Sequence, residues 1–197
     1  YEGLEAKELI INDGNISVTS SDDGINTADS SFTGNNMESD ESMLTINGGN
    51  IIVNAQGDGI DMNGNGEMND GLLTIYGPTS GGDGAIDYAG RFNVNGGTLI
   101  AGGSSTMALL PSDTSSVNSL MIDALGDIQI VDDEGNIIFT YSSNKSYENL
   151  VVASNKLETG KTYTIIQDGI EVNTVTITSL QTNLSTKQNN QFQQRPK

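Results

Sequence analysis

Acidic side chains recur in this chain inside one short element. Asp23-Gly24-Ile25-Asn26, Asp58-Gly59-Ile60-Asp61 and Asp83-Gly84-Ala85-Ile86-Asp87 are versions of it, and Glu2-Gly3-Leu4-Glu5 aligns with them. Carboxylates at matching positions of a repeat stand in columns when the repeats stack. Two of them about 4.8 Å apart repel by roughly 3–4 kcal/mol at an effective dielectric of 20. A column is therefore costly unless protons or cations intervene. The chain has no histidine and no cysteine, which removes the common zinc, copper and haem ligands and any Ser-His-Asp or Cys-His triad. Oxygen donors remain, and oxygen suits calcium or magnesium; the glycine turns add backbone carbonyls beside the acids. The candidate ligands for Ca2+ are Glu5, Asp22, Asp23, Asn26, Asp58, Asp61, Asp83 and Asp87. In one column Asp83 follows Glu2, Asp23 and Asp58; in the other Asp87 follows Glu5, Asn26 and Asp61, displaced by one residue. The competing reading is an aspartate that only shapes its turn.

Two other calcium motifs overlap this element. Asp61-Met62-Asn63-Gly64-Asn65-Gly66 copies the first half of an EF-hand loop, but Leu72 stands where its closing Glu belongs, and no helix pattern flanks it. Gly81-Gly82-Asp83-Gly84 hints at the calcium-binding nonapeptide, yet nothing recurs at nine residues. Both are better read as turns inside the longer repeat.

The elements that must position these acids are short strands joined by tight turns. Turns begin at Asn12, Asn47, Asn69 and Asn95, at intervals of 35, 22 and 26 residues. A repeat of that length holds three short strands and three turns, which is what one coil of a parallel β-helix requires. The long first interval contains a polar insertion, Asp29–Ser42, expected as a loop at one corner. Period-2 alternation points Leu9, Ile11, Ile16 and Val18 inward and Ile10, Asn15, Ser17 and Thr19 outward. Leu44, Ile46, Ile51 and Val53 repeat the inward set, as do Phe92, Val94, Leu99 and Ala101. Tyr1–Glu5 matches the acidic element without the strands that precede it elsewhere, which reads as a fragment lacking its amino-terminal coils.

The expected fold class is all-β: about four coils of a right-handed parallel β-helix over 1–107, then a β-rich C-terminal cap over 108–180. A polar Gln/Asn-rich tail or linker is expected over 181–197. Strand-like runs in the cap are Leu120–Ile122, Asp127–Val131, Asn136–Tyr141, Leu150–Ala153, Thr162–Gln167 and Val172–Ile177. Hairpin turns are expected at Asp133–Asn136 and Glu158–Lys161. Such a cap would cover the last coil.

Charge narrows the partners. The net charge is −18, and residues 1–100 carry 16 acids against Lys7 and Arg91 alone. No basic face exists to neutralise phosphates, so nucleic acid is excluded as an expected partner. No apolar run approaches the roughly 20 residues of a membrane helix. For carbohydrate, the candidate contacts are Tyr76, Tyr88 and Arg91, although tyrosines often pack and Arg91 could pair with Asp87 instead.

Taken together, several stretches resemble a known family. They are Gly3–Lys7, Ser20–Asn26, Gly57–Asp61, Gly77–Tyr88 and Asn95–Gly103, with Tyr147–Val151 and Gly160–Thr164 in the C-terminal part. They are similar to secreted bacterial carbohydrate-binding proteins built on a pectate-lyase-like right-handed parallel β-helix with bound calcium. The resemblance covers residue 1 to about 180, and the Gly77–Tyr88 run is its most specific part. It implies a secreted or cell-surface protein, calcium in the coils, and binding of plant cell-wall polysaccharide, cellulose and acidic pectic chains included.

The expected function is non-catalytic, calcium-dependent polysaccharide binding, with calcium bridging protein and sugar carboxylates. A lyase of this fold would need a basic residue beside the metals, and Lys7 and Arg91 sit in no recognised catalytic motif. A structural role is the third reading, because an open first coil invites head-to-tail self-association.

Overall fold

Tight turns and alternating apolar residues wind the first half of the chain into four coils of three strands each. The computed structural model describes residues 1–35, 38–79 and 81–186. The first coil holds β1 (Leu4–Ala6), β2 (Glu8–Ile11) and β3 (Asn15–Thr19). The second holds β4 (Ile25–Thr27), β5 (Met43–Ile46) and β6 (Asn50–Asn54). The third holds β7 (Ile60–Met62), β8 (Asn65–Met68) and β9 (Leu72–Tyr76), the fourth β10 (Ile86–Tyr88), β11 (Phe92–Val94) and β12 (Thr98–Gly103). Equivalent strands pair in parallel, giving one sheet β1-β4-β7-β10, a second β2-β5-β8-β11 and a third that begins β3-β6-β9-β12. No helix of the described residues is long and apolar enough to cross a membrane.

The register puts like on like inside the coils. Ile25, Ile60 and Ile86 form one column, and Ile51, Leu73 and Leu99 another. All six are essentially sealed from solvent, each burial stabilising by about 1.5–3 kcal/mol against exposure. Size is matched across coils too. Gly66 pairs with Phe92, and a Cβ at Gly66 would run into Met62 and the Phe92 ring. The inward residues expected from the alternation are the ones that build this core, with Leu9 and Ile16 only partly buried at the first coil.

Asparagine holds the corner between the second and third sheets. Asn47 donates from Nδ2 to Asn12 Oδ1 at 2.9 Å, Asn69 to Asn47 at 2.9 Å, and Asn95 to Asn69 at 3.1 Å. Two residues after each asparagine, Gly14, Gly49, Gly71 and Gly97 take φ of 122°, 97°, 97° and 74°, the left-handed region that closes the turn. The Asp29–Ser42 insertion lies at the corner between β4 and β5. It is fastened by Lys7, which meets Asp29 at 2.6 Å and Glu41 at 3.5 Å.

The C-terminal region does two things. β13 (Asn118–Asp123), β16 (Asn149–Ser154) and β19 (Gln181–Asn183) prolong the third sheet as β12-β16-β13-β19, with β16 antiparallel to both β12 and β13. β14 (Ile128–Val131), β15 (Ile137–Tyr141), β17 (Thr162–Gln167) and β18 (Ile170–Thr176) form a separate antiparallel sheet, ordered β15-β14-β17-β18. That sheet packs on the outer face of the prolonged one around a second core of Ile100, Leu120, Ile122, Phe139, Tyr141 and Ile165. β16 thus faces two cores, Val151 and Ala153 toward the coils and Leu150 and Val152 toward the second sheet. The last coil is covered at β11 by an irregular segment, where Ser112 N–H donates to Phe92 O at 2.7 Å and Ser116 N–H to Val94 O at 3.0 Å. The antiparallel sheet lies at the side of the stack, since an apolar outer face at Ile100, Leu120 and Val152 demanded cover as much as the coil end did.

Two local expectations change. Glu158–Lys161 is a turn but not a hairpin, because β16 and β17 belong to different sheets. The hairpin lies instead at Asp168-Gly169, with φ of 49° and 79°, between the paired Gln167 and Ile170. The segment read as a polar tail begins with a strand: β19 pairs with β13, and Asp123 accepts from Ser185 Oγ and from Thr186 N–H at 2.9 Å. Residues 187–197 of that tail lie outside the described residues.

Candidate metal centre

The acidic elements sit at the corner that leads into the first sheet. Within that sheet Glu5 pairs with Asn26, Asn26 with Asp61, and Asp61 with Asp87. Asp87 is therefore in register, and the displaced residue is Asp83. Gly59 N–H donates to Gly84 O and Gly24 N–H to Asp58 O, so Gly84 occupies the place below which Asp58, Asp23 and Glu2 are stacked. Ala85 is the extra residue of the fourth element, and it pushes Asp83 one step back into an exposed loop.

Asp23, Asp58 and Asp61 come together. Each offers a carboxylate oxygen, and the three oxygens lie within 4.8 Å of one another. All three residues are partly buried, Asp58 being the most enclosed. The backbone of each next coil helps to hold them: Asp58 N–H donates to Asp23 Oδ1 at 2.8 Å, and Gly84 N–H to Asp58 Oδ1 at 2.5 Å. Gly57 leaves room for this, because a Cβ there would collide with Asp23 Oδ1. Gly24 and Gly59 are required for a related reason, since a Cβ on either would strike the carbonyl of the next coil. The Asp-Gly pair of the repeat is thus one acid and the gap that lets the next coil approach it.

Burial pushes the Asp58 carboxyl up to about 8, with Asp87, Asp61 and Asp23 adding like charge and only the Gly84 amide opposing. Asp23 is also raised, first by burial and then by Asp22, Asp83 and Glu2, against the Asp58 amide. Asn26 Oδ1 is buried and has no hydrogen-bond partner among the described residues. Asn26 stands in the strand register between Glu5 and Asp61. An orphaned buried acceptor costs about 1–3 kcal/mol, and a cation beside it would remove that cost. Asp23, Asp58 and Asp61 can hold a metal ion, and their oxygen-only donor set suits a hard cation.

The remaining candidates are placed around this triad. Asp87 is partly buried and close enough to act on Asp58, and it accepts Tyr88 N–H at 2.9 Å. Glu5, Asp22 and Asp83 are exposed. The structure does not put the three carbohydrate candidates on one sheet. Tyr88 ends β10 in the first sheet, and its hydroxyl donates to Leu110 O at 2.8 Å. Arg91 precedes β11, its amide donating to Asn65 Oδ1 at 3.0 Å. Tyr76 ends β9 in the third sheet and packs against Tyr141 with ring centroids 5.4 Å apart.

Sequence reasoning missed Lys145. It reaches back from the C-terminal region to the coils, its Nζ donating to Ala55 O and to Tyr76 O at 3.1 Å. No pattern along the chain announces that contact. The asparagine ladder was within reach, because the same residue opens the same turn in all four coils.

Comparison of the chain with protein-family models, with curated proteins and with solved structures found no match in any of the three.

Proposed function

We propose that this protein is a non-catalytic module that binds acidic cell-wall polysaccharide at a cell surface or outside the cell, through calcium held by the acidic ladder. The observation that carries the reading is the triad of Asp23, Asp58 and Asp61 with its oxygens within 4.8 Å. Ligands 2.3–2.6 Å from one calcium ion span such a distance. Calcium takes six to eight oxygens, so three aspartates leave positions for Asn26, carbonyls, water and a sugar carboxylate. At the ladder an anionic chain would otherwise be repelled by the clustered carboxylates of Asp23, Asp58 and Asp61. The polysaccharide class rests on the resemblance of the acidic elements and of Gly77–Tyr88 to secreted calcium-containing β-helix proteins.

Retention on insoluble pectin or cellulose, with calcium and then with chelator, tests the reading. Retention in calcium that chelator and high salt reverse is the expected result; no retention in either buffer overturns it. Release of unsaturated uronate product during the assay would replace it with lyase activity.

A further inference from the structure

Where the outer antiparallel sheet stops, the third sheet continues bare, and the step between them is a groove of about 570 Å³. Its floor is the outward face of β9 and β12, where Leu72, Thr74 and Tyr76 lie in register with Thr98, Ile100 and Gly102. Its wall is β15, the edge strand of the outer sheet, with Thr140 turned to solvent and Lys156 at the rim. The volume is that of a small-molecule site.

The chemistry of the lining is specific. Leu72 is 38% exposed on the floor, an apolar spot for the C–H face of a sugar ring. Tyr76 is backed by Tyr141, which itself meets Tyr147 edge-on at 5.0 Å, so the ring is held in place. The hydroxyls of Thr74 and Thr140 have no partner among the described residues, whereas that of Ser142 is taken by Asp127 at 2.5 Å. Lys156 places its ammonium 5.8 Å from the centre of the Phe139 ring and makes no ion pair among the described residues. In a chain with 26 acids and eight bases, the lining of this groove carries no carboxylate, and Lys156 is its charged side chain.

We propose that this groove is a second glycan site, distinct from the acidic ladder, that takes a short acidic oligosaccharide. Lys156 meets a uronate carboxylate, Thr74 and Thr140 bond ring hydroxyls, and Leu72 and Tyr76 pack on the apolar ring face. Toward the first coil the floor continues through Ile52 and Ser17, with Asn50, Asn54 and Asn15 at its sides. The four strands from β12 to β3 extend it by about 14 Å at roughly 4.8 Å per step, which suits a linear chain crossing the strands. One cation and a few hydroxyls make a weak site, on the order of a millimolar Kd. The inference goes beyond the calcium reading and shares with it only the premise that the protein meets acidic glycans.

The test is a titration of isotope-labelled protein with tetragalacturonic acid, followed by amide shifts in excess chelator, with cellotetraose as the neutral comparison. The expected result is a cluster of shifts at Leu72, Thr74, Thr140 and Lys156, and at least a fivefold loss of tetragalacturonate affinity in Lys156→Met. Thr74→Ala is expected to weaken both sugars, and unchanged calcium binding in both variants establishes that they are folded. Shifts confined to Asp23–Asp61, or binding of cellotetraose alone, overturn the assignment. No shifts in chelator, with the polymer still retained in calcium, overturn the groove and leave the calcium reading standing. No binding of either kind removes both.

Discussion

Asp58 is where charge and burial conflict most. Its carboxyl titrates near 8 in the fold against an ordinary value of 3.8. Between those values the folded state binds one more proton than the unfolded state, so without metal stability falls as pH rises through that window and levels off above it. In chelator, the melting temperature should drop between pH 5 and pH 8.5 by roughly 5–10 °C, a few kcal/mol for a chain of this size. Millimolar calcium should restore it at the higher pH, where the carboxylate is free of its proton, and affect it little at the lower. A flat profile in chelator would mean that the triad is not under charge strain. Asp58→Asn separates the two roles of the residue: it should raise the melting temperature of the metal-free protein at pH 8.5 and weaken calcium binding by a hundredfold or more in calorimetry. Loss of stability in chelator would instead make Asp58 a turn former.

At the scale of the element, the corners carry more of the specificity than the strands. A strand of three or four residues has little identity by itself, and coil register depends on what repeats at the turns. Asn69 donates to Asn47 and accepts from Asn95, so Asn69→Ala breaks two links at this solvent-exposed corner. Urea denaturation should show a loss of about 1–3 kcal/mol. Asn12, at the end of the ladder, accepts a single bond, and Asn12→Ala should cost clearly less. Equal costs would show that the ladder acts as separate turns. Ala85 is the contrast in the opposite corner. It follows Gly3, Gly24 and Gly59 in the stacking order, and its Cβ is accommodated beside Gly77 and Gly103 because no further coil lies on it.

For the molecule as a whole, Lys145 ties the C-terminal region to the coils. Burial lowers the pKa of its ammonium, and its Nζ donates to the carbonyls of Ala55 and Tyr76, at the ends of two successive coils. Tyr141 supports the same junction, its hydroxyl donating to Ile75 O at 3.0 Å. Lys145→Met should destabilise the fold by about 1–2 kcal/mol and speed amide exchange in β15 more than in β5 or β8. Uniform acceleration across all strands would show that the two cores unfold as one unit, with no separate role for the tie.

The sequence by itself determined the coils, because a parallel stack repeats the same physical demand at each layer. Inward apolar residues, Asn-started turns and Asp-Gly corners must recur at matching places, and recurrence is visible in one dimension. It also placed Asp23, Asp58 and Asp61 among eight candidate oxygen ligands. The tertiary structure alone decided which carboxylates meet: one extra residue, Ala85, moves Asp83 out of the ladder and keeps Asp87 in it. It alone decided that β16 faces two cores, that Tyr76 lies on a different sheet from Tyr88, and that Lys145 and Lys156 return to the face of the coils. Those outcomes join residues far apart along the chain that share no period, so their contacts depend on how two cores pack against one sheet.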